Sequence, residues 1–216
     1  MTKETAEQDR TEEAKTDGVL IEWNPPKPRE GGLGSWDKFV GPGATSAEEY
    51  IQIGVGALIA LGCVFIFWVE RGTSASVLQW VFVVFLALDI GGGIVTNSTS
   101  AAKRWYHRQG HGMSKHMTFI GAHLIHIGLV ALLFSTQPIM YAAVVSLLVL
   151  ACAIIVLVAP LYLQRPIAVG LTMFIILIAQ LPLFDMAGLN WFVPALMLKL
   201  ILGHGLKEAP FQPEHR

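Results

Sequence analysis

The chain has 216 residues, of which 53% are hydrophobic and 14% are charged, and its formal net charge is −1. Its mean hydropathy is +0.54. This composition excludes an ordinary soluble domain, because such domains carry about 25% charged residues. The lack of a basic balance excludes a nucleic-acid-binding surface. Cys63 and Cys152 lie within apolar stretches, which predicts two small buried hydrophobes rather than a disulfide framework.

The first fifty residues differ from the rest of the chain, because they hold most of the acidic residues. Residues 1–35 predict a disordered cytoplasmic tail, since so polar a segment cannot bury enough apolar surface to fold alone. The polar start predicts no cleaved signal peptide. Residues 36–50 predict an interfacial segment, in which Thr45 or Ser46 caps a helix with two glutamates in its first turn. A plain linker with one helix cap accounts for the same signals.

Six apolar segments follow this region. A helix needs about 20 predominantly apolar residues to cross a bilayer, and the last segment is short for that purpose. The sequence predicts an all-α, polytopic membrane helix bundle with about six transmembrane helices over residues 51–205, followed by a cytoplasmic tail at 206–216. The six segments are 51–69, 77–96, 117–135, 139–163, 167–184 and 190–203.

The loops between these segments alternate between basic and non-basic. The 97–116 loop is rich in lysine and arginine, whereas the 135–138 loop has neither. Since short cytoplasmic loops are enriched in basic residues, both termini and the 97–116 loop are predicted to be cytoplasmic, in a multi-pass protein of the plasma (inner) membrane. The basic run in this loop predicts contact with anionic lipid head groups through Lys103, Arg104 and Arg108.

Three ionisable residues fall at matching depths in neighbouring segments. Asp89 lies in the second segment, and His123 and His126 lie in the third. At 1.5 Å per residue, all three lie about 10 to 15 Å from the same membrane edge. Ionisable groups at that depth are costly and mark candidate functional sites. Carboxylates and imidazoles bind zinc and iron, so the sequence predicts a metal site made of these three residues.

Three further histidines, His107, His111 and His116, precede and begin the third segment. They are candidate catalytic acid–base groups or further metal ligands. The histidine spacing in this region resembles the histidine boxes of membrane desaturases and hydroxylases, which implies two irons at the cytoplasmic face. The resemblance covers this region only, and the later box of those families has no counterpart, because His204 and His215 are isolated.

The same residues also have structural interpretations. Buried aspartate and histidine side chains hydrogen-bond across membrane helices simply as packing contacts. Lys199 either extends to the membrane edge or turns inward and pairs with Asp89, which would replace metal ligation by an ion pair. Gly91, Gly92 and Gly93 indicate either a close approach of another helix beside Asp89 or a flexible point in the helix.

Three classes of function remain open. The first is a metal-dependent enzyme that acts on a lipid or lipophilic substrate near the cytoplasmic leaflet. The second is a transporter or proton-relay protein, in which Asp89 and the histidines titrate. The third is a noncatalytic assembly or haem-holding protein, in which His123 or His126 needs an axial partner such as His204. The clustering of ligand-type residues on one leaflet favours the first class, without indicating a reaction or an oligomeric state.

Overall fold

The computed structural model describes residues 19–213. Residues 1–18, about half of the predicted tail, and residues 214–216 lie outside this range. The described part is all-helical apart from one short ribbon of two strands, β1 (Val19–Ile21) and β2 (Phe211–Pro213), which pair in antiparallel fashion. Its helices are α1 (Gly31–Val40), α2 (Ser46–Arg71), α3 (Val77–Ser98), α4 (Ser100–Tyr106), α5 (Met113–Phe134), α6 (Pro138–Val158), α7 (Leu161–Ile178) and α8 (Phe192–Gly205).

Five helices, α2, α3, α5, α6 and α7, are long and apolar enough to cross a membrane. They correspond to the first five predicted segments, so the prediction of an all-α chain with several helices able to cross a membrane is confirmed at this level. The sixth predicted segment forms α8, which is apolar but shorter than a standard span.

Helix α2 begins with the helix cap that the sequence predicts at Thr45 or Ser46. Thr45 caps this helix, because its side chain accepts a hydrogen bond from the Glu48 backbone N–H and the Glu48 carboxylate accepts one from the Thr45 backbone N–H. This reciprocal pair satisfies two backbone donors that a helix start leaves open. The preceding residues also have structure, since β1 and α1 occupy positions where the sequence predicts a disordered tail and an interfacial segment.

The predicted boundary between the fourth and fifth segments is wrong. The sequence places a loop at Gln164 and Arg165, whereas α6 ends at Val158 and α7 already begins at Leu161. Pro160 causes the break, because a proline disfavours the helical conformation of the residue before it. Pro166 lies inside α7, close enough to its start that it removes only one early hydrogen bond.

Glycines let three helices meet around the second half of α3, which confirms the predicted close approach. A Cβ atom added to Gly56 of α2 would lie 3.0 Å from the Cα of Gly92, and one added to Gly91 would lie 3.3 Å from the Ala60 nitrogen. On the other face, a Cβ on Gly93 would lie 2.9 Å from Lys199 Nζ of α8. Helix α3 is therefore enclosed by α2 and α8 where it carries Asp89.

Three helices depart from regular α geometry at functional candidates. Helix α3 contains a π-helical turn at Ala87–Gly91, and the second part of α8, Leu198–Gly205, is also π-helical. Helix α5 tightens at His123, whose N–H donates to the Ile120 carbonyl. Such irregular turns are frequent at functional sites, and i→i+5 bonding brings residues five apart onto one side of a helix.

Candidate functional site

The candidate site residues form two groups at different depths. We call Asp89, His123, His126 and Lys199 the deep cluster. We call His107, His111, His116 and His204 the edge cluster, because it lies where α4, α5 and α8 reach one end of the bundle. His116 and His123 belong to the same helix and are seven residues apart, so about 10 Å along α5 separates the two clusters.

The deep cluster is centred on one carboxylate oxygen. Asp89 Oδ2 lies 3.9 Å from His123 Nε2 and 3.8 Å from His126 Nε2. One ligand atom from each of the three residues falls within 4.8 Å of the others, and no other group of described residues meets this condition for a metal ion. The three residues that the sequence predicts as metal ligands are therefore together.

Lys199 also binds this carboxylate. Its Nζ donates to Asp89 Oδ2 at 2.7 Å and to the Asp89 backbone carbonyl at 3.0 Å, and the lysine is only 3% exposed. Of the two orientations that the sequence allows for this lysine, the inward one is observed. The ammonium balances the aspartate charge inside the bundle, which lowers the cost of keeping both groups ionised there.

The protonation of His123 follows from its second contact. Its Nδ1 lies 2.8 Å from the Phe119 carbonyl oxygen, which can only accept a hydrogen bond. Nδ1 therefore carries the proton, and Nε2 of the neutral ring directs a lone pair toward the deep cluster. Metal-binding histidines commonly have this arrangement, in which a carbonyl fixes the tautomer and orients the ring. His123 Nε2 is then an acceptor that faces Asp89 Oδ2, whose only cationic partner at hydrogen-bond distance among the described residues is Lys199.

The carboxylate is accessible from the outer face of the bundle. The Asp89 side chain is 33% exposed, whereas the Lys199 side chain behind it is 4% exposed. Phe85, one helical turn earlier in α3, is exposed and stacks on His126 with ring centroids 5.7 Å apart. Asp89 is also about 13 Å from the Ser98 end of its helix, close to mid-depth. The opening of the deep cluster thus faces the apolar outer surface of the bundle.

The edge cluster is built from rings that pack on one another. His116 is central: its ring centroid lies 4.7 Å from that of His107, 5.0 Å from that of His111 and 4.9 Å from that of His204. His116 Nδ1 and His204 Nε2 are 3.0 Å apart. The three residues predicted to be catalytic are therefore adjacent to one another, but they lie apart from the deep cluster.

His204 is the member of the edge cluster that the sequence does not predict. It is isolated in the sequence, and no spacing rule relates it to the other histidines. Its ring lies 4.0 Å from that of Phe119 in a stacked arrangement, between the helices that carry the other members. The haem alternative pairs His204 with His123 or His126, whereas its nearest imidazole partner in the structure is His116.

Burial keeps the loop histidines neutral. It lowers the pKa of His107 to about 3 and also lowers the pKa of His111, in both cases because the charged ring would lose hydration. His107 Nε2 lies 3.1 Å from the backbone carbonyl of His204, so this nitrogen carries the proton and Nδ1 keeps its lone pair. Both loop histidines therefore offer neutral imidazoles to the edge cluster.

The basic run predicted to contact lipids is mostly turned inward. Lys103 is 3% exposed and its Nζ donates to the carbonyls of Leu202, Gly203 and Leu206 at the end of α8. Because the last carbonyls of a helix lack partners within it, the lysine caps α8. Arg104 is also buried and bonds to Gln212. Arg108 lies nearer the surface, with its guanidinium 3.6 Å from the centroid of the Trp105 ring.

No protein family, curated protein or solved structure matches this chain. The function must therefore be inferred from the residues of the site and their chemistry.

Proposed function

We propose that the protein is a metal-dependent membrane enzyme, with zinc or iron held in the deep cluster by Asp89, His123 and His126. One observation carries this proposal: a carboxylate and two imidazoles from two helices converge within 4.8 Å near the middle of the bundle. The fixed tautomer of His123 supports it, because the nitrogen that faces the aspartate is the unprotonated one.

Each residue of the deep cluster has a separate role in this proposal. A bound zinc ion would supply Lewis acidity for hydrolysis of an ester or amide bond. Asp89 and the two histidines would provide its ligands, and Lys199 would hold the carboxylate in place through its contact with Oδ2. Oδ2 is the carboxylate oxygen that faces both imidazoles, so Lys199 and the ion would share this oxygen.

The proposed substrate class is a lipid or another lipophilic molecule. Asp89 is one-third exposed at mid-depth, next to exposed apolar side chains such as Phe85 and Leu88. A molecule that reaches this carboxylate from the side of the bundle must first dissolve in the bilayer. His107, His111 and His116 remain proposed catalytic groups, and because about 10 Å along α5 separates His116 from the deep cluster, they would act there through a proton relay rather than by direct transfer.

We further propose six membrane crossings with both termini cytoplasmic, in the plasma (inner) membrane. Five crossings alone would leave the two ends of the chain on opposite sides. The pairing of β1 with β2 places residues 19–21 and 211–213 together, which supports a return of the chain through α8. At the other end of the bundle, the Gly188 N–H donates to Glu70 at the end of α2. Anionic lipid contact is then best assigned to Arg108, since Lys103 and Arg104 bind protein atoms.

A proton relay is the second candidate, and the contact between Lys199 and Asp89 favours it. An aspartate, a lysine and two histidines within reach of one another at mid-depth can exchange protons without any metal. The two candidates differ in their need for a metal. The enzyme requires a bound ion, whereas a relay keeps its function in metal-free protein.

Metal analysis of the purified full-length chain in detergent separates the two candidates. We expect His126→Ala to lower the zinc or iron content by about one ion per chain relative to the wild type, with His215→Ala as the matched histidine control. Size-exclusion chromatography checks that the variant stays folded. An unchanged metal content in folded His126→Ala and His123→Ala would overturn the metal proposal and leave the proton relay.

A further inference from the structure

We propose that the edge cluster is a second metal site, in which His107, His111, His116 and His204 bind one divalent ion such as zinc or copper(II). This site uses imidazole nitrogens only, whereas the deep cluster includes a carboxylate. The two sites share no ligand, so the second can exist whether or not the deep cluster binds a metal.

The distance between two ring nitrogens fits a shared ion. His116 Nδ1 and His204 Nε2 are 3.0 Å apart. Two nitrogens that each lie about 2.0 to 2.1 Å from one zinc ion are separated by about 3 to 3.4 Å. A hydrogen bond between the two rings has a similar length, so further ligands decide between the two interpretations.

Two neighbouring histidines supply those further ligands. Within residues 19–213, neither ring nitrogen of His111 has a hydrogen-bond partner, although both are buried. The His107 ring keeps a lone pair on Nδ1, because its Nε2 donates to the His204 carbonyl. Both rings lie 4.7 to 5.0 Å from the His116 ring. As they stand, no three of the four histidines have ligand atoms within 4.8 Å of one another, so binding requires the unpartnered His111 ring to rotate about its terminal side-chain bond.

His204 is a buried ring whose Nε2 faces the edge cluster and whose other nitrogen is unsatisfied. It is 1% exposed, and its Nδ1 has no hydrogen-bond partner in the described part of the chain. Buried polar nitrogens are nearly always satisfied, since leaving one without a partner costs about 1 to 3 kcal/mol. A metal bound through Nε2 would replace the hydrogen bond to His116 and would leave the proton on Nδ1. The ring is already held in place by Phe119 and by Tyr106, whose ring centroid is 4.9 Å away.

An open cavity gives an ion access to the edge cluster. It has a volume of about 170 Å³ and is lined by His107, His111 and His116, together with Met113 and Gln164. This volume exceeds the space of one water molecule several times over, so a hydrated ion can enter. Two lysines are near the cavity. Lys207 is one of its lining residues, and the buried Lys103 is occupied by three carbonyls and lies 3.4 Å from Glu208, which reduces its repulsion of a metal.

Chelator-treated, full-length protein in detergent, loaded with Cu²⁺ or Zn²⁺ alone, tests the site. We use the Asp89→Asn/Lys199→Met background, which abolishes the deep cluster and leaves no unpaired charge. Titration calorimetry should still detect one ion per chain, and His111→Ala should weaken its binding by at least about tenfold. The electron paramagnetic resonance spectrum of the copper form should show splitting from several imidazole nitrogens.

His215→Ala controls for binding by an isolated histidine, and His204→Gln tests the buried ligand while preserving polarity. Thermal denaturation followed by circular dichroism checks that each variant is folded. No binding in the folded background protein would overturn the second site, as would affinity unchanged by both His111→Ala and His204→Gln. Either result leaves the deep-cluster proposal intact, because that proposal depends on the metal lost in His126→Ala.

Discussion

Lys199 binds Asp89 twice, through the carboxylate Oδ2 at 2.7 Å and through the backbone carbonyl at 3.0 Å. The Asp89 carbonyl also accepts a hydrogen bond from the Gly92 N–H at the end of the π-helical turn, so it uses both of its lone pairs. A single side chain from α8 therefore fixes both the main chain and the functional group of one residue in α3. This double contact therefore both balances the charge of the deep cluster and fixes the packing of α8 against α3.

Substitution of Asp89 alone should destabilise the protein. Asp89→Asn leaves the Lys199 ammonium buried without a counter-ion, and breaking a buried pair in this way costs about 3 kcal/mol. We expect a lower Tm in detergent than for the wild type. Asp89→Asn/Lys199→Met removes both charges and should recover most of the lost stability. Thermal denaturation of the three proteins measures this, and a single variant as stable as the wild type would show that the ion pair contributes nothing.

The double variant also separates stability from metal binding. Because it lacks the carboxylate, it should lack the ion of the deep cluster even though it is stable. A stable double variant with full metal content would show that Asp89 is not a ligand. Lys199→Met alone, measured beside it, tests whether the lysine is needed only to balance the carboxylate charge.

Packing around Gly93 should be as sensitive as the ion pair itself. An added Cβ would fall 2.9 Å from Lys199 Nζ and would overlap the carbons next to it, so Gly93→Ala must displace the lysine. We expect a loss of about 1 to 3 kcal/mol in the free energy of unfolding. Gly92→Ala is the matched control, because a Cβ there meets no atom within 4 Å. Equal stability of the two variants would contradict the observed approach of α8.

The sequence predicts the helices and part of the site because their signals are local. Apolar runs define five spans, and the shared depth of Asp89, His123 and His126 is enough to place these three residues together. The edge cluster depends on contacts between distant segments. His204 joins it only because α8 returns beside α5 and is π-helical near its end, and no local pattern encodes either property. The inward turn of Lys103 has the same origin, since it depends on carbonyls about 100 residues away.

Lys103 should anchor the end of α8 that carries His204. Lys103→Met removes the donors to three carbonyls of this end, and we expect a loss of about 2 kcal/mol in the free energy of unfolding. Lys115→Met is the control, because Lys115 is exposed and its replacement should change stability by less than about 0.5 kcal/mol. Hydrogen exchange of residues 198–206 should increase in the first variant alone. Similar exchange in both variants would show that α8 needs no such anchor.

The contribution of Lys103 to the stability of the protein should depend on pH because the side chain is buried. It lowers the pKa of Lys103 from 10.5 to about 8, so between these values the unfolded chain binds more protons than the folded one. The contribution of Lys103 to stability should therefore rise as the pH increases from about 8 to 10.5. Comparison of wild type with Lys103→Met across this range isolates the effect from other lysines. A difference in stability that stays constant with pH would contradict a lowered pKa.

The topology offers a test of α8 as a crossing. Reporter domains fused after Gly72 and inserted after Gly188 should both lie outside, whereas reporters after Gly112 and after the C-terminal Arg216 should lie inside. The physical reason is that β1 and β2 pair at one end of the bundle while Gly188 contacts Glu70 at the other. Activity of a periplasmic reporter and fluorescence of a cytoplasmic one give independent measurements. If the reporters at residues 188 and 216 fall on the same side, α8 does not cross, and the six-helix topology must be replaced by five crossings.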